Sequence, residues 1–126
     1  YIEQVKLAGG IPVEIPTSIE SNFKITPDQL KQAITEKSKL IVYSSPCNPS
    51  GSVYSKDELI ALSEVILSKE GLFVLADEIY EYINFTEKSH TSMASISREI
   101  WEIKVTDESN NLISIGKLTT LAIKKK

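Results

Sequence analysis

The chain has very few of the residues that signal a chemistry on their own. Its 126 residues include one cysteine, one histidine, one methionine and one tryptophan. A single cysteine, Cys47, rules out an internal disulfide and makes a reducing cytoplasm the expected compartment. Cys47 has no nearby helper for a nucleophile, because His90 is the only histidine and lies far along the chain. With no second His or Cys at ligand spacing, no metal site is expected. Positive charge is not in excess: the formal net charge is -3. A nucleic-acid surface is therefore not expected, and the terminal Lys124-Lys125-Lys126 run is too short to change that. No apolar stretch is long enough for a helix to span a bilayer, so no membrane partner is expected. Internal repeats and long low-complexity tracts are lacking too.

What remains is ordinary globular composition, 41% hydrophobic and 25% charged, enough to pack a core in a single domain. The sequence starts at Tyr1 directly in what reads as a helix, Ile2 to Ala8, stopped by Gly9-Gly10. This start is expected of a fragment of something longer. Ile11 to Ile15 alternate around Pro12 and predict a short edge strand. Thr26-Pro27-Asp28-Gln29 is a capping box with proline in the first helical position; it predicts a helix to about Glu36 or Lys37 with Leu30, Ala33 and Ile34 inward.

Leu40 to Tyr43 and Leu72 to Ala76 are nearly all apolar and predict strands buried on both faces. Between them, Ser55-Lys56-Asp57-Glu58 opens a second helix with the stripe Leu59, Leu62, Val65 and Ile66. Strand, helix, strand predicts a right-handed crossover and parallel pairing. Tyr82 to Phe85 predict one more short strand and Thr86 to Ser97 a loop. Beyond Arg98, Ile100, Trp101, Ile103 and Val105 suit a helix or a strand. Asp107 to Asn111 predict a turn, and Leu112 to Ile115 a strand.

Two polar blocks follow the two apolar runs: Asn48-Pro49-Ser50-Gly51 and Asp77-Glu78-Ile79-Tyr80, with Asp77 twenty-nine positions after Asn48. Parallel strands would bring both to one sheet edge, where open α/β sheets bind ligands. Taken singly, each block has an ordinary reading. Asn-Pro-Ser-Gly is a tight turn, an aspartate at a strand end is a cap, and a lone tyrosine is a packing residue. Glu78 reads as structural or solvated, His90 as a loop residue, and Lys6, Lys37 and Lys39 as surface charge.

Taken together, SSPCNPSGSVYSKDEL and VLADEIYEYINF resemble the large domain of fold-type I, pyridoxal-phosphate-dependent aminotransferases, more narrowly the class I/II, aspartate-aminotransferase-like group. VKLAGGIPVEIP and FKITPDQLKQAI are similar to the stretch preceding those motifs there. The likeness runs from Tyr1 to about Ile96. It implies an α/β fold, a partial mostly parallel sheet with flanking helices. It also implies transfer of an amino group between an amino acid and a 2-oxo acid, and a homodimeric parent. By position, Asp77 matches the residue that pairs with the pyridine nitrogen of pyridoxal 5'-phosphate. Asn48 and Tyr80 match those that bond its ring 3-oxygen, and Pro49 and Gly51 those that shape the turn. Other reactions on the same fold, such as lyase or decarboxylase chemistry, and a non-enzymatic α/β remnant are the alternatives.

The family also implies a lysine bonded covalently to the cofactor, in a Ser-x-Ser-Lys-like segment, followed by a Gly-Trp-Arg-like segment. Neither is present in that form. Lys117, forty positions after Asp77 and three after Ser114, is the one candidate, but Gly116 precedes it and no Gly-Trp-Arg follows. A surface lysine is the better reading, so no catalytic residue is assigned. Residues 1–96 are read as a fragment of the cofactor-binding domain and 97–126 as a divergent tail, produced by a frame error, a truncation or a cloning boundary. The chain alone is expected to be inactive, to bind the cofactor feebly at best, and to be poorly soluble through unpaired sheet edges. A frame error predicts that another reading frame of the coding DNA after Ile96 encodes Ser-Lys and Gly-Trp-Arg-like blocks; their absence from both frames would refute it.

Overall fold

The computed structural model describes residues 1–96, together with the backbone of two later strands, Trp101–Thr106 and Leu112–Leu118. Helix α1 (Ile2–Leu7) ends as expected. Gly9 N–H bonds Lys6 O at 2.9 Å and Gly10 N–H bonds Val5 O at 2.8 Å, the paired closure of a Schellman motif. Gly9 takes φ +77°, and a Cβ on Gly10 would lie 2.9 Å from Val5 Cγ1. The two glycines are thus required for different reasons, one for its dihedral and one for a close contact.

Helix α2 (Pro27–Ala33) and helix α3 (Lys56–Leu67) both start with complete capping boxes, Thr26 with Gln29 and Ser55 with Glu58. Helix α2 stops before the expected Glu36 or Lys37. Ile34 is already extended, and Thr35 N–H bonds Ser38 Oγ at 3.0 Å while Lys37 N–H bonds Thr35 Oγ1 at 3.2 Å. Short hydroxyl side chains capture the amides that would otherwise continue the helix.

Strands β1 (Leu40–Ser44) and β2 (Phe73–Asp77) pair in parallel, in register from Leu40 opposite Phe73 to Ser44 opposite Asp77. Their connection runs through α3, as the strand–helix–strand pattern predicts. Leu30 of α2, Leu59, Leu62 and Ile66 of α3, Leu72, Val74 and Met93 form the core with Tyr54, and Ile41 and Tyr43 of β1 pack against it. Residues alternate between the faces of a strand. Ile41, Tyr43 and Val74 therefore face the helices, while Val42, Leu75, Ser44 and Asp77 belong to the other face. That second face is only partly covered among the described residues, which corrects the expectation of strands buried on both sides.

Two expected strands are not formed. Ile11 to Ile15 make no ladder among the described residues, and Pro12 and Pro16 carry no N–H to donate to one. Tyr82 to Phe85 are part of turns: Ile83 N–H bonds Tyr80 O at 2.8 Å, and Asn84 Oδ1 captures Thr86 N–H at 2.9 Å. Tyr82 and Phe85 are 92% and 95% exposed, so no burial drives them into a sheet. Later, a 3-10 turn (Met93–Ser95) precedes β3 (Trp101–Thr106), which pairs antiparallel with β4 (Leu112–Leu118). The ambiguous Trp101, Ile103 and Val105 are thus in a strand, as is the Leu112 to Ile115 segment. The turn expected at Asp107 to Asn111 lies outside the described residues.

Glu58 ties α3 to the loop before α2. Its Oε1 lies 2.6 Å from Lys24 Nζ, and its Oε2 accepts Ser55 N–H at 2.7 Å. Burial alone would lift the Glu58 carboxyl, but hydrogen bonds from Lys24 and Ser55, with the Lys24 charge, hold it below the usual carboxylate range. A group lowered on folding stabilises the fold fully above its unfolded pKa, about 4.3, and that contribution is lost as pH falls through the folded value. Glutamine keeps the capping role but not the charge. The Glu58→Gln variant should therefore show a shallower fall in urea midpoint between about pH 5 and pH 3 than the parent. Parallel curves would contradict this.

Candidate functional site

The register of the parallel pair decides what meets at the edge of the sheet. Ser44 stands opposite Asp77, and Ser45 N–H continues the ladder to Asp77 O at 3.0 Å. The chain leaves β1 through a loop that closes on itself: Gly51 N–H bonds Cys47 O at 2.7 Å and Cys47 N–H bonds Ser52 O at 3.0 Å. Gly51 sits at φ +69°, a conformation that glycine adopts at little cost. Ser45, 1% exposed, accepts Tyr54 N–H on its Oγ at 3.1 Å and so pins the far end of the loop. Asn48 projects from this loop at an exposed position.

Beyond β2, the Asp77 carboxylate folds back so that Oδ1 accepts Ile79 N–H at 3.3 Å. Aspartate commonly stabilises a turn in this way. The turn continues with Glu81 N–H to Glu78 O at 2.9 Å and brings Tyr80 back toward the Asn48 loop. There, Asn48 Nδ2 donates to Tyr80 Oη at 3.2 Å. The structure thus joins Asn48 to Tyr80 across 32 positions and sets Asp77 at the same edge of the sheet.

Alternation sends Asp77 and Glu78 in opposite directions. Glu78 Oε1 accepts Met93 N–H at 3.2 Å and lies 3.7 Å from His90 Nε2. Of its two readings, Glu78 takes the structural one: it anchors the 3-10 turn to the helix face of the sheet. His90 is less of a bystander than a loop residue should be, because its ring is largely enclosed next to Glu78. Beside this cluster Tyr43 Oη is buried without a hydrogen-bond partner among the described residues. Burial, and then the nearby Glu78 charge, push the Tyr43 phenol well above its ordinary value. Among the described residues Lys6 pairs only with Glu3, as a surface lysine would. Lys117 stands opposite Glu102 in the β3–β4 register, and its side chain lies outside the described residues.

One contact at this edge has no local signal in the sequence. The Tyr1 hydroxyl donates to Asp77 Oδ2, across 76 positions. Only the tertiary structure reveals it, since nothing around Tyr1 resembles a site motif.

The model of the aminotransferase class I and II family matches residues 1–116. The chain belongs to this family. It is 50% identical over 102 residues to an aspartate aminotransferase of Bacillus subtilis, covering 81% of this chain and 26% of that one. It is 39% identical over 106 residues to a probable aspartate/prephenate aminotransferase of Aquifex aeolicus, covering 84% of this chain and 27% of that one. Among solved structures, the Thermus thermophilus aspartate aminotransferase with maleate superposes with a TM-score of 0.71 at 38% identity, over 76% of this chain and 25% of that one. An aspartate aminotransferase from Rhizobium meliloti superposes with a TM-score of 0.77 at 28% identity, over 95% of this chain and 32% of that one. The α/β architecture expected from the sequence is therefore the aminotransferase one. The chain spans about a quarter of the length of the curated relatives it matches.

The Asn48 loop of this aminotransferase segment depends on the Ser45 bond. Ser45→Ala would leave Tyr54 N–H buried without its acceptor, a loss of about 1–3 kcal/mol. The expected result is a lowered denaturation midpoint together with faster amide exchange at Tyr54; an unchanged midpoint would contradict the role given to Ser45.

Proposed function

We propose that this chain supplies the ring-holding wall of a pyridoxal-5'-phosphate-dependent aminotransferase. Asp77 faces the pyridine nitrogen, and Asn48 and Tyr80 hold the ring 3-oxygen. The observation that carries this reading is the Asn48–Tyr80 hydrogen bond at the strand edge that also bears Asp77.

The donor set fits such a ring. Tyr80 Oη accepts from Asn48, so its own O–H stays available for a further acceptor. Asn48 Nδ2 carries a second N–H. Two donors can therefore meet one anionic oxygen. The Asp77 carboxylate has about four lone-pair sites, of which the hydrogen bonds from Ile79 and Tyr1 use two. It keeps room to accept from a protonated ring nitrogen, and a carboxylate beside that nitrogen favours its charged form.

When bound, the cofactor supplies an electron sink that acidifies the α-carbon of an amino acid. Asp77 maintains that capacity by keeping the proton on the ring nitrogen. Asn48 and Tyr80 fix the ring's rotation and stabilise negative charge on its oxygen. The rigid strand pair β1–β2 sets the spacing between these groups, because both emerge from the same end of one ladder. The substrates in this reading are an amino acid and a 2-oxo acid, with aspartate as a donor supported by the relatives' names. A homodimeric parent in a reducing cytoplasm belongs to the same proposal.

Titration of the chain with pyridoxamine 5'-phosphate, which needs no covalent link, tests this directly. Saturable binding should weaken roughly tenfold or more in Asp77→Asn, since a hydrogen bond to a charged group contributes about 1.5–3 kcal/mol. Asn48→Ala should weaken it by a smaller factor. Equal affinity in the parent and Asp77→Asn would sink the proposal.

A further inference from the structure

We propose that Tyr1 is a positioning residue of this site: its hydroxyl, with Ile79 N–H, clamps the Asp77 carboxylate so that the group meets a ring nitrogen in one fixed orientation. This rests on the reading of Asp77 given above and adds a residue from outside both motifs.

The two bonds on Asp77 differ in kind. The Ile79 N–H bond to Oδ1 is local, made two residues along the same turn. It constrains one oxygen and leaves the carboxylate free to swing about that contact. The Tyr1 bond to Oδ2 comes from the residue preceding α1 and fixes the second oxygen. Two donors on two different oxygens define the carboxylate plane. Both oxygens keep a lone pair, so the clamp does not compete with the ring nitrogen.

The phenol is suited to the task. Tyr1 is pushed up to about 12 by burial, then by its bond to Asp77 and the Asp77 charge. It therefore stays protonated, and a donor, throughout the neutral range. Asn48 and Tyr80 contact each other and make no hydrogen bond to Asp77, so the carboxylate takes its second anchor from Tyr1 alone among the described residues.

Tyr1→Phe keeps the ring and removes the donor. Two measurements on the full chain test the proposal. The first is tyrosinate absorbance at about pH 10.5, just above the ordinary tyrosine pKa. Asp77→Asn should gain a fraction of one tyrosinate per chain relative to the parent, and the gain should vanish in the Tyr1→Phe/Asp77→Asn double variant. The second is affinity for pyridoxamine 5'-phosphate. Tyr1→Phe should weaken it about threefold to tenfold, the size of one hydrogen bond. In the double variant the loss should equal that of Asp77→Asn alone, because Tyr1 acts only through Asp77.

A Tyr1→Phe variant that binds as the parent does, while Asp77→Asn binds worse, overturns the proposal and leaves the reading of the site intact. Unchanged tyrosinate in Asp77→Asn overturns it as well. Unchanged affinity in Asp77→Asn overturns the reading of the site itself, and the absorbance measurement then still decides whether the clamp exists.

Discussion

Everything at the candidate site depends on the parallel pairing of β1 with β2. The ladder runs without a shift from Leu40 opposite Phe73 to Ser44 opposite Asp77, and Ser45 adds one more rung. Side chains on a strand alternate, so a slip by one residue would exchange Asp77 with Glu78 between the two faces. The carboxylate would then point at the 3-10 turn, where Glu78 and His90 now lie, and the open face would receive the wrong group. What fixes the register is burial: Ile41, Tyr43 and Val74 must face α2 and α3. The chemistry of the edge is in this sense a consequence of where the core lies.

The loops then refine what the strands position. Ser45 and Gly51 shape the segment that presents Asn48, and the carboxylate of Asp77 shapes the turn that returns Tyr80. Glu78 performs a complementary task on the opposite face, holding Met93 in the core. Two adjacent acidic residues thus serve different ends, separated only by the pleat of the strand.

Much of this was legible in the sequence because it follows local rules. Both capping boxes formed at Thr26 and Ser55, the paired glycines closed α1, and the apolar runs became the parallel strands. The meeting of Asn48 with Tyr80 followed from topology together with the family likeness. What was not legible depends on partners distant in sequence or on competition for amides. Ile11 to Ile15 alternate like a strand, yet no neighbouring strand accepts them among the described residues. Thr35 and Ser38 shorten α2 by bonding its would-be amides. The Tyr1–Asp77 contact spans 76 positions, and no pattern within either segment announces it.

The proposed gathering of Asp77, Asn48 and Tyr80 around one pyridine ring underlies all of this. Its most direct test is the nitrogen NMR shift of pyridoxamine 5'-phosphate labelled at the ring nitrogen and bound to the chain, at a pH where the free ligand's ring is deprotonated. A protonated ring nitrogen is expected in the complex, and it should become neutral with Asp77→Asn. A bound ring nitrogen as deprotonated as that of the free ligand would contradict it.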